Sequence, residues 1–434
     1  MLAAFRLVVL GGARQTGKST LVADLLGFPA SAWFTLDDAA VRRRATEDPS
    51  GFVAALPRPS VIDEFQRAGE DLLLAVKQAA DRDRTRGQLL LTGSASYLAG
   101  RGVTETLAGR AGRLVLWPLS AGERRGVRES FVDRLFDGVA WPPPGEPPDR
   151  GELVAWMLQG GYPEVVTEDL TLRQRGRWFE AYVADVVSRE ALRPIADVRR
   201  ENELRRVLRL LAARTSQELV VSDLADDAEL DRTTAGSYVA LLEALYLVTL
   251  LPAWVTSATT RAKRRPKVVV TDPGLAAHLC GAGEGQFGPH SDGRLAGALF
   301  ETTVITEIAK QATWSDRTLD LMHFRDRNGP EVDLVVEDRR TGQLAGVEVK
   351  LTSSPSARDA RHLALLRDRL PERFTPVGAA PGSGRLRQPG HLTTSRAASR
   401  CHMEPCCSSR ARARLVEHRA KLVCASSSPR QAVR

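Results

Sequence analysis

Residues 12–19 read Gly-Ala-Arg-Gln-Thr-Gly-Lys-Ser, filling every fixed position of the pattern GxxxxGK[ST]. The spacing carries a chemistry. Gly12 and Gly17 let the backbone turn so that successive N–H groups point inward at phosphate oxygens. Between them Ala13, Arg14, Gln15 and Thr16 supply the body of that cradle. Lys18 is placed to reach the β- and γ-phosphates of a nucleotide, and the Ser19 hydroxyl to ligate Mg²⁺. A helix expected at 18–27 adds its positive dipole end.

A second set of residues points from binding to hydrolysis. Ser60-Val-Ile-Asp63-Glu64 is an apolar run that ends in two adjacent carboxylates. Asp63 is suited to holding Mg²⁺ through water, and Glu64 to orienting and deprotonating an attacking water. Transfer of phosphate to a small molecule has less need of that second acid. The run LLLTGSAS (89–96) likewise ends in small polar residues, so Thr92 or Ser94 is a candidate to sense the γ-phosphate. In TLAGRAGR (106–113), Arg110 and Arg113 are candidates for the arginine that stabilises transition-state charge.

These residues need a scaffold. FRLVVL (5–10), SAWFTLDD (31–38), SVIDEF (60–65) and QLLLTGS (88–94) are short apolar runs, separated by helical candidates at 18–27, 38–47 and 68–82. This alternation predicts an α/β fold with a parallel sheet covered on both faces. Ligands of such sheets bind at the carboxyl ends of strands, where the polar residues named above lie. WPPPGEPPDR (141–150) has five prolines in eight residues and reads as a linker. A helical stretch is expected over 151–215, three short helices and a strand over 216–254, a helix over 290–311 and strands over 319–351.

GARQTGKST, VIDEFQR, LLLTGSAS, LAGR and LWPLS, in this order, resemble the prokaryotic AAA-type ATPases fused to a C-terminal domain of unknown function. GGYPE (160–164), YVADVVSREALRPIADVRR (182–200), LLEALYLVTLLPAW (241–254), RRPKVVVTDPGLAAHL (264–279) and LFETTVITEIAKQ (299–311) extend the resemblance over about residues 5–375. It implies a P-loop NTPase of the AAA class that binds ATP with Mg²⁺ through Gly12, Gly17, Lys18, Ser19 and Thr20. Asp63 and Glu64 are then its acid pair. Such proteins usually carry a helical segment ahead of the first strand, a source of adenine contacts not expected from a chain beginning at that strand. Their last strands usually follow the position of Arg373. Here a basic tail takes over, so the terminal domain is expected to be incomplete.

Two further modules are expected. Residues 216–285 resemble a winged helix, with Asp231 as N-cap of its second helix. Arg232, Thr233, Thr234 and Ser237 would then face DNA bases, and Arg261, Lys263, Arg264 and Arg265 its phosphates. Residues 290–380 resemble a small α+β, restriction-endonuclease-like domain. In EVDLVVEDRRTGQLAGVEVK (331–350), Glu348 and Lys350 are two apart and share a strand face. With Asp333, and Glu301 on the preceding helix, they resemble a set in which carboxylates hold a metal and a lysine helps activate water.

The domain plan is therefore 1–120 for the ATPase, 121–215 for a linker and helical region, 216–285, 290–380, and a tail over 381–434. The expected function is a Mg²⁺-dependent ATPase that drives a conformational switch. Alternatives are a metal-dependent nuclease with a regulatory ATPase, and a DNA- or partner-binding switch; an oligomer is compatible with each.

The pI near 9.5 does not by itself indicate nucleic acid. From Pro381 to Arg434 there are 11 Lys and Arg against two acids, a net +9, while the whole chain is +8, leaving about −1 for residues 1–380. The tail also holds Cys401, Cys406, Cys407 and Cys424, in a spacing that fits no usual zinc pattern. It is expected to be unstructured. No apolar run approaches the roughly 20 residues that span a bilayer, and a cytoplasmic protein with no membrane partner is expected.

Overall fold

A computed structural model describes residues 1–94, 107, 109–137, 149–168, 170–188, 192, 201–255, 264–288, 291, 293–326, 329–352 and 356–379. The proline-rich boundary falls mostly outside these residues, and the cysteine-rich tail entirely so.

The architecture is α/β. Strands β1 (Leu7–Gly11), β2 (Trp33–Thr35), β3 (Ser60–Asp63), β4 (Leu89–Thr92) and β5 (Ala111–Val115) form one parallel sheet in the order β2-β3-β4-β1-β5. Alternation along β1 explains its two-sided burial. Leu7 and Val9 join a core with Leu72, Leu73 and Val76 of the helix Gly69–Arg82. Val8 and Leu10 join a second core with Leu21 and Val22. The expected helix at 18–27 is shorter, Lys18–Thr20 running on as a π-helical turn over Leu21–Leu25. Two elements escape sequence reading. Gly112 and Arg113 interrupt the apolar run of β5, which lies at the sheet edge with Arg113 exposed. The helix Pro49–Ala55 follows Ala39–Glu47 so closely that Asp48 ends one and caps the other.

The rest of the chain is helical and then mixed. Helices Ala121–Arg125, Arg150–Gln159, Leu172–Val186 and Glu201–Ala213 precede a small antiparallel sheet of β6 (Gln217–Glu218), β7 (Val248–Leu251) and β8 (Lys267–Val270), ordered β6-β8-β7. Within 216–254 there are two helices rather than three, Val221–Ala228 and Arg232–Ala244. The helix Arg294–Ala312 leads into β9 (Leu319–Arg325), β10 (Glu331–Asp338), β11 (Leu344–Val349) and β12 (Phe374–Ala379), ordered β12-β11-β10-β9. The terminal domain is thus not cut short at Arg373. β12 follows directly and pairs in parallel with β11 after the helix Arg361–Arg369.

The motifs GGYPE and TDPG meet in space. Asp272, fully buried, caps the helix Pro273–Leu279 by accepting from Leu275 N at 2.9 Å, and accepts from Gly161 N at 2.7 Å. Gly160 must lack a side chain, because a Cβ there would lie 2.2 Å from Asp272 Oδ1, and its φ of +69° favours glycine. Burial raises the Asp272 carboxyl above its usual value, opposed by Lys310 and the two N–H donors. Asp272→Ala, which strands two buried N–H groups, is expected to cost about 2–5 kcal/mol. Asp272→Asn, which keeps an acceptor oxygen, should cost less. Urea unfolding of the full chain checks both, and equal losses would remove the acceptor role.

Candidate functional site

The phosphate-type loop leaves β1 at Gly11 and turns through backbone that favours glycine, with φ +149° at Gly12 and +88° at Gly17. At Gly12 space is as restrictive as torsion, since a Cβ would lie 2.4 Å from the Leu116 carbonyl oxygen. Gln15, at φ +60°, takes the left-handed conformation at the exposed tip. Thr16 Oγ1 closes the turn on Ala13 O at 3.0 Å. Lys18 is buried and folds back over the loop, its Nζ donating to Gly12 O at 2.9 Å and Ala13 O at 2.7 Å. Ser19 and Thr20 are exposed at the helix start, and Arg14 approaches the Asp185 carbonyl.

Opposite the loop lie the strand-end acids. Asp63 and Thr92 are register partners on β3 and β4, and Thr92 Oγ1 donates to Asp63 Oδ1. Glu64 takes left-handed backbone, φ +52°, one residue beyond the strand. Its Oε2 accepts from Ser94 Oγ at 3.0 Å and from Gln66 Nε2. Burial lowers the Lys18 ammonium to about 8, while Glu64 and then Asp63 hold it up. The structure thus brings together Gly12, Gly17, Lys18, Ser19, Asp63, Glu64, Thr92 and Ser94. Sequence reasoning passed over Gln66, whose role as a clamp on Glu64 depends on the turn after β3.

Arg110 lies elsewhere. Its carbonyl accepts from Leu7 N at the start of β1, the end of the sheet opposite the loop, about 13 Å away at strand rise. There its guanidinium grips Asp81 through Nε–Oδ1 at 2.5 Å and Nη2–Oδ2 at 3.0 Å. The expectation that Arg110 reaches the phosphates of this loop is corrected accordingly: the parallel register fixes it at the amino ends of the strands.

The following module reaches the root of the loop. Tyr246, itself at φ +58°, places its hydroxyl where a Cβ on Gly11 would lie 2.2 Å from it. A cleft of about 810 Å³ opens here, lined among others by Ala13, Leu116, Glu243, Tyr246 and Thr306.

In the terminal module Asp333 and Glu348 sit on adjacent strands, and Asp333 Oδ2 accepts from Val349 N at 2.7 Å. Lys350 Nζ donates to Glu348 Oε1 at 2.7 Å, as their shared face predicts. Glu301, the candidate third acid, is paired instead with Lys267 at 2.6 Å. Among the described residues no group of three or more His, Cys, Asp and Glu is arranged to hold a metal ion. The proposed base readers divide: Arg232, Thr233 and Ser237 are exposed, while Thr234 Oγ1 donates to Asp231, the expected N-cap. Arg264 and Arg265 are described, but Arg261 and Lys263 lie outside the described residues.

Residues 4–124 match the family described as an AAA domain. That stretch contains the loop, the acid pair and the whole parallel sheet, and through it the chain is similar to ATPase-type nucleotide-binding proteins. Behind the AAA domain, residues 150–286 match a domain of unknown function (DUF8612) and residues 296–392 another (DUF4143). Uncharacterized proteins of Mycobacterium bovis and Mycobacterium tuberculosis are each 28% identical over 366 residues, covering 83% of this chain and 73% of theirs. Among the described residues no helix is long and apolar enough to cross a membrane.

Two measurements test the loop. Gly12→Ala is expected to reduce ATP affinity at least about tenfold by pushing the loop off Leu116, whereas Gly176→Ala, with open space around its Cβ and no positive φ, should leave it near normal. ATP affinity should also fall between pH 7 and pH 9. Above about 8 the free Lys18 amine is neutral and must take up a proton to meet phosphate, a loss approaching tenfold per pH unit. An affinity flat over that range would place the Lys18 titration higher.

Proposed function

We propose that this protein is a Mg²⁺-dependent ATPase that hydrolyses ATP to ADP and phosphate and uses the cycle to switch the arrangement of its modules. The observation that carries this reading is the placement of Glu64, held by Ser94 Oγ at 3.0 Å and by Gln66 across from the buried Lys18. A binding-only loop has no need of a half-buried carboxylate clamped from two sides.

Gly12 to Gly17 form the phosphate cradle, where bare backbone at Gly12 and Gly17 permits the turn. Lys18 supplies the cation for the terminal phosphates. The donor set suits Mg²⁺, a hard ion that takes hydroxyl and carboxylate oxygens. Ser19 and Asp63 would hold it, Thr92 aiming the Asp63 carboxylate. When bound, Mg²⁺ neutralises charge on the phosphates. Glu64 accepts the proton of the attacking water, and Ser94, bonded to Glu64, relays the state of that carboxylate to β4. Tyr246, packed against Gly11, is the contact through which a change in the loop reaches the following module, while Leu116 ties Gly12 to the edge of its own sheet.

Lys18→Ala is expected to abolish ATP binding. Glu64→Gln should keep binding within about threefold and lower turnover at least about 100-fold, the usual scale for removing a general base. Equilibrium binding of a fluorescent ATP analogue and phosphate release separate the two. Normal hydrolysis by Glu64→Gln would sink the base assignment.

A further inference from the structure

Lys267 opens β8, within the stretch matched to DUF8612, yet its side chain ends inside the module that follows. It is fully buried. Its Nζ lies 2.6 Å from Glu301 Oε1 on the helix Arg294–Ala312 and 3.4 Å from Glu331 Oε1 on β10. Asp333, also on β10, presents Oδ1 at 3.8 Å and its carbonyl oxygen at 3.4 Å. Three carboxylates from two elements therefore converge on one ammonium. Burial alone lowers an ammonium, but Glu301, Asp333 and Glu331 outweigh it, and Lys267 is raised above its usual value.

Two of these acids, Asp333 and Glu301, belong to the set that a metal-dependent nuclease would use. Beside them Glu348, 7% exposed, has one oxygen on Lys350 and leaves Oε2 buried without a partner, an acceptor to spare. The pocket is thus built to receive positive charge. A divalent ion would need these oxygens at about 2.0–2.6 Å around its own centre. The Lys267 ammonium already stands there. Its backbone is held on both sides, by Glu218 of β6 and Leu251 of β7, and its side chain is fully buried.

We propose that this pocket is a cation site whose resident cation is the Lys267 ammonium, donated by the neighbouring small sheet. In that role Lys267 fastens the two C-terminal modules together and keeps divalent metal out, so the terminal module serves as an anchor and not as a metal-dependent nuclease. The inference is independent of ATP hydrolysis at the loop.

The test uses the full, nucleotide-free chain titrated with Mn²⁺, free ion being counted by electron paramagnetic resonance. Lys267→Ala is expected to bind about one Mn²⁺ more than the wild type, and adding Asp333→Asn should remove that gain. If Lys267→Ala fails to fold, Lys267→Ala/Glu301→Gln removes one charge of each sign, keeps Asp333, Glu331 and Glu348, and is expected to gain the same site. A folded Lys267 variant without added Mn²⁺ overturns the proposal. So does wild-type Mn²⁺ binding that Asp333→Asn abolishes, or wild-type plasmid cleavage in Mn²⁺ that Lys350→Ala abolishes. Both of these outcomes leave Lys267 in place, so they decide even where no Lys267 variant is stable.

Discussion

Gly11 and Gly12 leave the end of β1 as bare backbone, and two neighbours use the space. The Leu116 carbonyl, just past β5, takes up the room of a side chain on Gly12, and the Tyr246 hydroxyl does the same at Gly11. The loop is therefore built against the edge of its own sheet on one side and against the next module on the other. Packed contacts of this kind move together or in discrete steps rather than yielding gradually. Lys18 bonds the carbonyls of Gly12 and Ala13 in this same stretch, and the 810 Å³ cleft lies beside it.

The remainder of the chain is organised by buried charge. Asp272 joins the helix Pro273–Leu279 to Gly161, more than a hundred residues away. Lys310, 2% exposed, bonds Glu307 at 2.6 Å and the Leu119 carbonyl at 3.1 Å, while Glu307 accepts from Ala121 N at 2.7 Å. Lys267 joins the small sheet to the terminal module. Each buried charge stands where distant stretches meet. Such pairs add little net stability over apolar packing, but breaking one leaves an uncompensated charge, which penalises every other arrangement. Charge here selects how the modules fit, while the shared apolar core, running from Val132 to Ala379, supplies the bulk of the driving force.

Much of the site is legible in residue order. GxxxxGKS, the acids ending β3 and the polar end of β4 are each contiguous, and a parallel sheet gathers its strand ends on one side without further instruction. Glu348 and Lys350 meet because a strand repeats every two residues. Less is legible where the strand pattern is broken: β5 carries Gly112 and Arg113 at a sheet edge, where one covered side is enough.

What the sequence determined by itself was chemistry carried by neighbours in the chain: the phosphate loop, the acid pair, the Asp231 cap and the periodicity of the main elements. The partners of isolated charges were settled only in three dimensions. Arg110, directly before a strand that residue order does not show, is sent by the register of β5 to Asp81 and the wrong end of the sheet for phosphate. Lys267, at the head of an ordinary apolar run, is carried by β8 into the acids of another module. Nothing local marks either residue, because an ion pair between residues 29 or 34 positions apart depends on strand order and packing, and those are properties of the assembled fold.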